Sequence, residues 1–219
     1  VFSVETAVVM INTRAKIMMQ LSQECSGVMI ALRASSESAQ KAIEELDLGS
    51  EVAVAAVNGE SSVVLSGEKS HTWSVTKHLG VSHKELDTKG IAYHSPRVSQ
   101  AVTAYEKSLQ HLLNTGKIAF NKPKRVTITD KLGSARPDGR ATTLVSCMTG
   151  ETISVKQMQS PTYWCQQMAS TVQALAGLRS VLSHKSQSVK RCIEVGIGSV
   201  LLDLSRKIFS TDSTLSTED

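Results

Sequence analysis

The sequence predicts an α/β chain in which a small β-α-β-β-α-β unit interrupts a larger body of alternating strands and helices. Two changes of period carry this. Apolar residues recur at helical spacing before residue 27 and again after residue 95, whereas residues 27–87 hold four strand-like runs separated by two helical ones. The order of elements in that middle stretch is the split-βαβ, or ferredoxin-like, arrangement. Beyond residue 124, short strand-like runs alternate with helices once more.

The elements follow in order. Ser3 caps a helix through VETAVVMINTRAKIMMQL, where Ala7, Val8, Ile11, Ala15, Met18 and Met19 share one side. GVMIALRA then reads as a strand, SSESAQKAIEEL as a helix capped by Ser35 or Ser36, and EVAVAAVNG as a second strand. A tight turn at Asn58-Gly59 leads into SSVVLSGE, followed by a helix over KSHTWSVTKHLG and a last strand in VSHKELD. His94 falls in a loop, and Pro96 opens a helix over RVSQAVTAYEKSLQHLLNTG. RVTITD and TTLVSCMTG read as strands around KLGSARPDGRA, an exposed loop by its Gly, Pro and Asp content. SPTYWCQQMASTVQALAGLRSVL reads as one helix with Ser160 as cap and Pro161 in its first position. RCIEVG is a short strand, SVLLDLSRKIF a last helix, and residues 210–219 a polar tail or linker.

Composition removes several functions. Lys and Arg total 24 against 20 Asp and Glu, a net charge of +4 too scattered for a nucleic-acid footprint. The strands GVMIALRA and SSVVLSGE carry no aromatic residue on which a base could stack, which argues against an RNA-recognition domain. NKPKR (121–125) and HKSQSVKR (184–191) read either as solvated linkers or as docking patches for an acidic partner. Cys25, Cys147, Cys165 and Cys192 lack C-x-x-C spacing, so no metal site is expected, and they read as reduced, mostly buried thiols of a cytoplasmic protein. No apolar run approaches the ~18 residues that a membrane helix needs. The chain opens with Val1 directly before a helix, which reads as a piece of something longer.

Two residues invite chemistry. His94, one of six histidines, reads either as a packing residue or as one that moves a proton, since an imidazole accepts and donates protons near neutrality. Arg14 lies three residues beyond Ile11 and four before Met18, at the edge of an apolar stripe. It reads either as a snorkelling surface arginine or as a guanidinium offered to a ligand carboxylate.

The blocks RAKIMMQ, AAVNGESSVVLSG, IAYHSP, QSPTYW and EVGIGSVL, in this order over residues 3–209, resemble the malonyl-CoA:acyl-carrier-protein transacylase family. Within it, the acyltransferase domains of polyketide synthases and type I fatty acid synthases are most similar. The resemblance implies a partial α/β-hydrolase-like body formed by residues 1–26 and 88–209, with the ferredoxin-like subdomain, residues 27–87, inserted. It implies transfer of a malonyl-type group from coenzyme A to a serine, and from there to the phosphopantetheine thiol of an acyl carrier protein, with no permanently bound cofactor. The family's serine sits in a G-x-S-x-G elbow, and this sequence contains none. The expectation is therefore a fragment, inactive alone, whose nucleophile lies outside it; a non-catalytic scaffold within a megasynthase is the alternative.

The same resemblance assigns roles. His94 would be the base, with the backbone carbonyl of Gln157 orienting its ring, so that Gln157→Ala should harm less than His94→Ala. Arg14 would hold the malonyl carboxylate. Tyr93, where malonyl-selective relatives have Phe, would crowd a branched α-carbon and favour malonyl, although Ile91 departs from both common versions of that stretch. Asn58 would form part of the cleft wall, or else serve only its turn. Gly196 and Gly198, with Ile197 in place of proline, resemble a family turn. The stretch 124–141 reads as extra loop without an assigned function.

Overall fold

Strand β1 (Gly27–Leu32), reading GVMIAL, and strand β3 (Ser62–Glu68), reading SVVLSGE, are too continuously apolar for a sheet with one wet face. The computed structural model, which describes residues 2–22, 26–120, 144–182, 192–195 and 199–211, covers both of their faces. With β2 (Val52–Gly59) and β4 (His83–Leu86) they form an antiparallel sheet in the order β2-β3-β1-β4. One face packs Val28, Ile30, Val54 and Leu65 against helices α2 (Ser36–Glu45) and α3 (Lys69–Leu79). Ile30, Ile43 and Leu65 are fully buried there, each stabilising the fold by roughly 1.5–3 kcal/mol. The other face presents Met29, Ala55 and Val64 to Leu86 and Tyr93.

A second core lies among helices α1 (Val4–Ser22), α4 (Ser99–Asn114) and α6 (Pro161–Ala169), built on Met10, Met18, Tyr105, Leu109, Cys165 and Met168. Tyr93 packs against this core as well as against the sheet, and so joins the two layers. Gly27 is required where they meet. Its amide donates to Gly90 O at 2.9 Å, and a Cβ there would come within 2.8 Å of Ala92. The start of β1 is thereby sealed against the loop that carries His94.

Of the two candidates, Ser35 caps α2, its hydroxyl accepting from the Ser38 amide, and Gly80 ends α3 in the left-handed region at φ 61°. Several expectations change. Val8, Ile11 and Met19 on α1 are 59%, 67% and 67% exposed, and the packed side is that of Thr6, Met10 and Met18. Helix α1 is apolar on two sides, and spacing cannot choose the one that meets α4. The β2-β3 turn is made by Glu60 and Ser61, because Asn58 and Gly59 remain in β2 with Gly59 paired to Ser62.

The single helix read over residues 160–182 is two, α6 and α7 (Ala174–Leu182), parted by an extended break at residues 170–173. Residues 144–150 hold only an isolated bridge, Val145 to Thr152, in place of a strand, and residues 192–195 hold none. A short helix absent from the sequence reading, α5 (Val155–Met158), precedes α6, and α8 (Val200–Thr211) ends the described chain. Of the cysteines described, Cys165 is buried, but Cys147 and Cys192 are exposed, contrary to the mostly buried expectation. Cys25, the basic stretches 121–125 and 184–191, the loop 124–141, the run RVTITD, Gly196, Ile197 and Gly198 lie outside the described residues. Among the described residues no helix is long and apolar enough to cross a membrane.

Candidate active site

His94 stands in the segment between β4 and α4, and its backbone is unusual. Its φ is +57°, a left-handed conformation that a non-glycine residue holds only when its surroundings compensate the cost. The compensation is visible on both sides. Ile91 and Ala92 before it are buried. After it the buried Ser95 hydroxyl donates to Ala92 O at 2.7 Å and accepts from the Arg97 amide at 3.2 Å. Pro96 then starts the helical turn Pro96–Val98 that runs into α4.

The imidazole reaches across the fold to the break between α6 and α7. Nδ1 lies 2.9 Å from the backbone carbonyl of Ser170. A carbonyl only accepts, so Nδ1 carries the proton and Nε2 presents a lone pair. Burial holds the pKa of His94 below the ordinary histidine value; the Ser170 carbonyl works against that shift, and the positive charge of Arg14 adds to it. The ring is therefore neutral near pH 7 and able to take a proton.

The acceptor is fixed by pairing with the small sheet. Val172 N donates to Ala55 O at 2.8 Å, Val57 N donates to Val172 O at 2.8 Å, and the Thr171 hydroxyl donates to Val54 O at 2.7 Å. These bonds dock residues 171–172 parallel to the edge of β2 at its bulge, where the register with β3 shifts between Val54 and Ala56. Extended backbone at Ser170 turns its carbonyl out of the helix toward His94. Gln157, expected to supply this carbonyl, instead forms a capping box with Ser154 at the exposed start of α5. The sequence reading missed Ser170 because helical spacing continues on both sides of it; the local sign was Ser-Thr-Val, with two β-branched residues in succession.

Arg14 is half-buried, one helical turn from each of the buried residues Met10 and Met18. Its Nη1 donates to Gln167 Oε1 at 2.7 Å, and its charge is felt at both His94 and Tyr105. Tyr105, whose hydroxyl donates to Met10 O at 3.2 Å, has its pKa pushed up to about 12 by burial, and burial raises Cys165 to about 11. Neither of these groups ionises near neutrality. None of the ion pairs among the described residues involves Arg14. Tyr93 lies beside His94 between the two layers, whereas Asn58 stands near the end of β2, one residue beyond the rung that Val57 makes to Val172. The structure thus places Arg14 within electrostatic reach of His94, gives them Gln167 and Ser170 as partners, packs Tyr93 between the two layers, and leaves Gln157 outside.

No family model matches the chain. It is 27% identical over 179 residues to the PKS-NRPS hybrid synthetase acdB of Aspergillus candidus, covering 81% of this chain and 6% of that protein. It is 28% identical over 199 residues to naringenin synthase of Pestalotiopsis fici, covering 89% and 6%. With the spectinabilin polyketide synthase system protein NorB of Streptomyces orinoci it shares 26% identity over 206 residues, covering 90% and 8%. The chain thus spans less than a tenth of the length of these curated relatives. Among solved structures, the acyltransferase domain from the second module of the salinomycin polyketide synthase superposes with a TM-score of 0.75 at 24% identity, covering 97% of this chain and 43% of that one. The malonyl CoA-acyl carrier protein transacylase from Burkholderia pseudomallei does so at 0.71 and 23%, covering 96% and 64%. The fold is that of acyltransferase domains, and the relatives are polyketide synthases, as the sequence blocks implied.

Proposed function

We propose that this chain is part of an acyltransferase domain of the polyketide-synthase type, moving a malonyl-type group from coenzyme A to an acyl carrier protein through an acyl-serine. The observation that carries the reading is a part-buried histidine, held at Nδ1 by a backbone carbonyl, within electrostatic reach of an arginine that pairs with no described carboxylate. In this reading His94 Nε2 takes the proton of a serine hydroxyl as the Oγ–acyl bond forms, and returns it to the coenzyme A sulfur as the thioester breaks. The second half-reaction runs in the same way, with the phosphopantetheine thiol deprotonated and the serine hydroxyl restored. Arg14 holds the free carboxylate of the acyl group. Charge-assisted hydrogen bonds of this kind contribute roughly 1.5–3 kcal/mol each, enough to favour malonyl over acetyl. The Tyr93 ring narrows the space at the α-carbon and Asn58 completes the wall.

The sheet unit of residues 27–87 is the ferredoxin-like subdomain in this account, and residues 1–26 and 88–209 belong to an α/β-hydrolase-like body. The serine would come from a segment that this sequence does not include. The setting would be a cytoplasmic megasynthase, with the carrier protein and neighbouring domains as partners. A longer polypeptide that joins this chain to its serine elbow, treated with malonyl-CoA, tests the reading by intact mass. A malonyl adduct that His94→Ala prevents supports it. The absence of any adduct, with the serine in place, refutes it in favour of a structural scaffold.

A further inference from the structure

The C-terminal turn of α6 holds a partner for each of the two candidate side chains: Ser170 O for His94, and three residues earlier the Gln167 carboxamide for Arg14. We infer that Gln167 is a positioning residue whose neutral carboxamide aims the Arg14 guanidinium and leaves its charge uncompensated for an incoming carboxylate. This rests on the acyltransferase reading above.

Arginine is long and rotamer-rich, so an unheld guanidinium must be ordered when its ligand arrives. Here the bond from Nη1 to Oε1, at 2.7 Å, supplies that order beforehand, linking α1 to α6 across 153 residues of sequence. A guanidinium has five N–H donors, and one neutral acceptor leaves the others, and the whole positive charge, available. Glutamate at 167 would have the same length and the same reach. Its carboxylate would fit the guanidinium fork bidentately and hold the charge that the ligand needs. Charge alone separates the two residues, and so the role can be tested without changing the packing.

The test measures the affinities of this chain for malonyl-CoA and acetyl-CoA by calorimetry, in wild type, Arg14→Ala, Gln167→Glu and Gln167→Met. Gln166→Glu, which makes the same charge change at the exposed neighbouring position, is the control. Wild type should prefer malonyl-CoA, and Gln167→Glu should cut that preference by about tenfold or more with acetyl-CoA affinity and melting temperature unchanged. Gln167→Met, which keeps the bulk and loses the acceptor, should reduce it by a smaller factor, and Gln166→Glu should leave it intact. A malonyl preference that Arg14→Ala removes but both Gln167 variants retain overturns this inference alone. A wild-type chain with no malonyl preference overturns the substrate reading and the inference together.

Discussion

Replacing Val172 by proline removes one backbone hydrogen bond, and the consequence should reach His94. The lost donor is the amide that bonds to Ala55 O at 2.8 Å, and Ala55 is 0% exposed, so its carbonyl is left without water to replace the bond. Stranding a buried acceptor costs about 1–3 kcal/mol, which at about 2–4 °C per kcal/mol for a chain of this size lowers the melting temperature by roughly 2–12 °C. The second consequence is electrostatic. With the rung broken, Ser170 O is no longer held against Nδ1, and the hydrogen bond that raises the His94 pKa weakens. The pKa of His94 should then fall further below its ordinary value, since burial and Arg14 both lower it. Circular dichroism melting gives the first quantity, and imidazole NMR across a pH series gives the second. An unchanged melting temperature together with an unchanged His94 titration would refute the claim that the small sheet fixes the orienting carbonyl.

Further outcomes follow from the same geometry. The folded-state pKa of His94 lies below the unfolded value near 6.5, so the unfolded chain binds more protons between the two. The stability contributed by the neutral ring is therefore complete above about pH 6.5 and lost as pH falls through the folded pKa; His94→Asn should flatten that part of a stability-against-pH curve. In a serine-bearing polypeptide, the rate of acyl-enzyme formation should fall over the same acidic range, because only the neutral ring accepts a proton. Gln157→Ala should cost about 1 kcal/mol through loss of the capping box on α5, measured by denaturant unfolding, and leave the titration of His94 unmoved.

How much of this was legible beforehand depends on which interactions are local. The sheet unit could be read because its strands and helices signal within a few residues, and Ser35, one of the two cap candidates, starts α2. His94 could be singled out only through the resemblance of the block IAYHSP, since one histidine among six carries no signal alone. Failures arose where a tertiary partner decides. Helix α1 offers two apolar sides, and only α4 chooses Met10 over Ile11. The break at residues 170–173 exists because β2 has an edge to pair with at its bulge, a fact held 115 residues away in the sequence. The orienting carbonyl was placed on Gln157 by resemblance, whereas the break puts Ser170 O against the ring. A backbone acceptor leaves no side-chain signature, so Ser-Thr-Val could mark the break but only the fold assigns Ser170 its role, and Gln167 emerges only from its bond to Arg14.

The central claim is that the imidazole of residue 94 and the guanidinium of residue 14 serve one site. The most direct measurement is the NMR titration of His94 in wild type and in Arg14→Ala. Removal of a cation from the same site should raise the His94 pKa from its lowered value toward that of an ordinary histidine. An identical titration in the two proteins, with the fold intact, would contradict it.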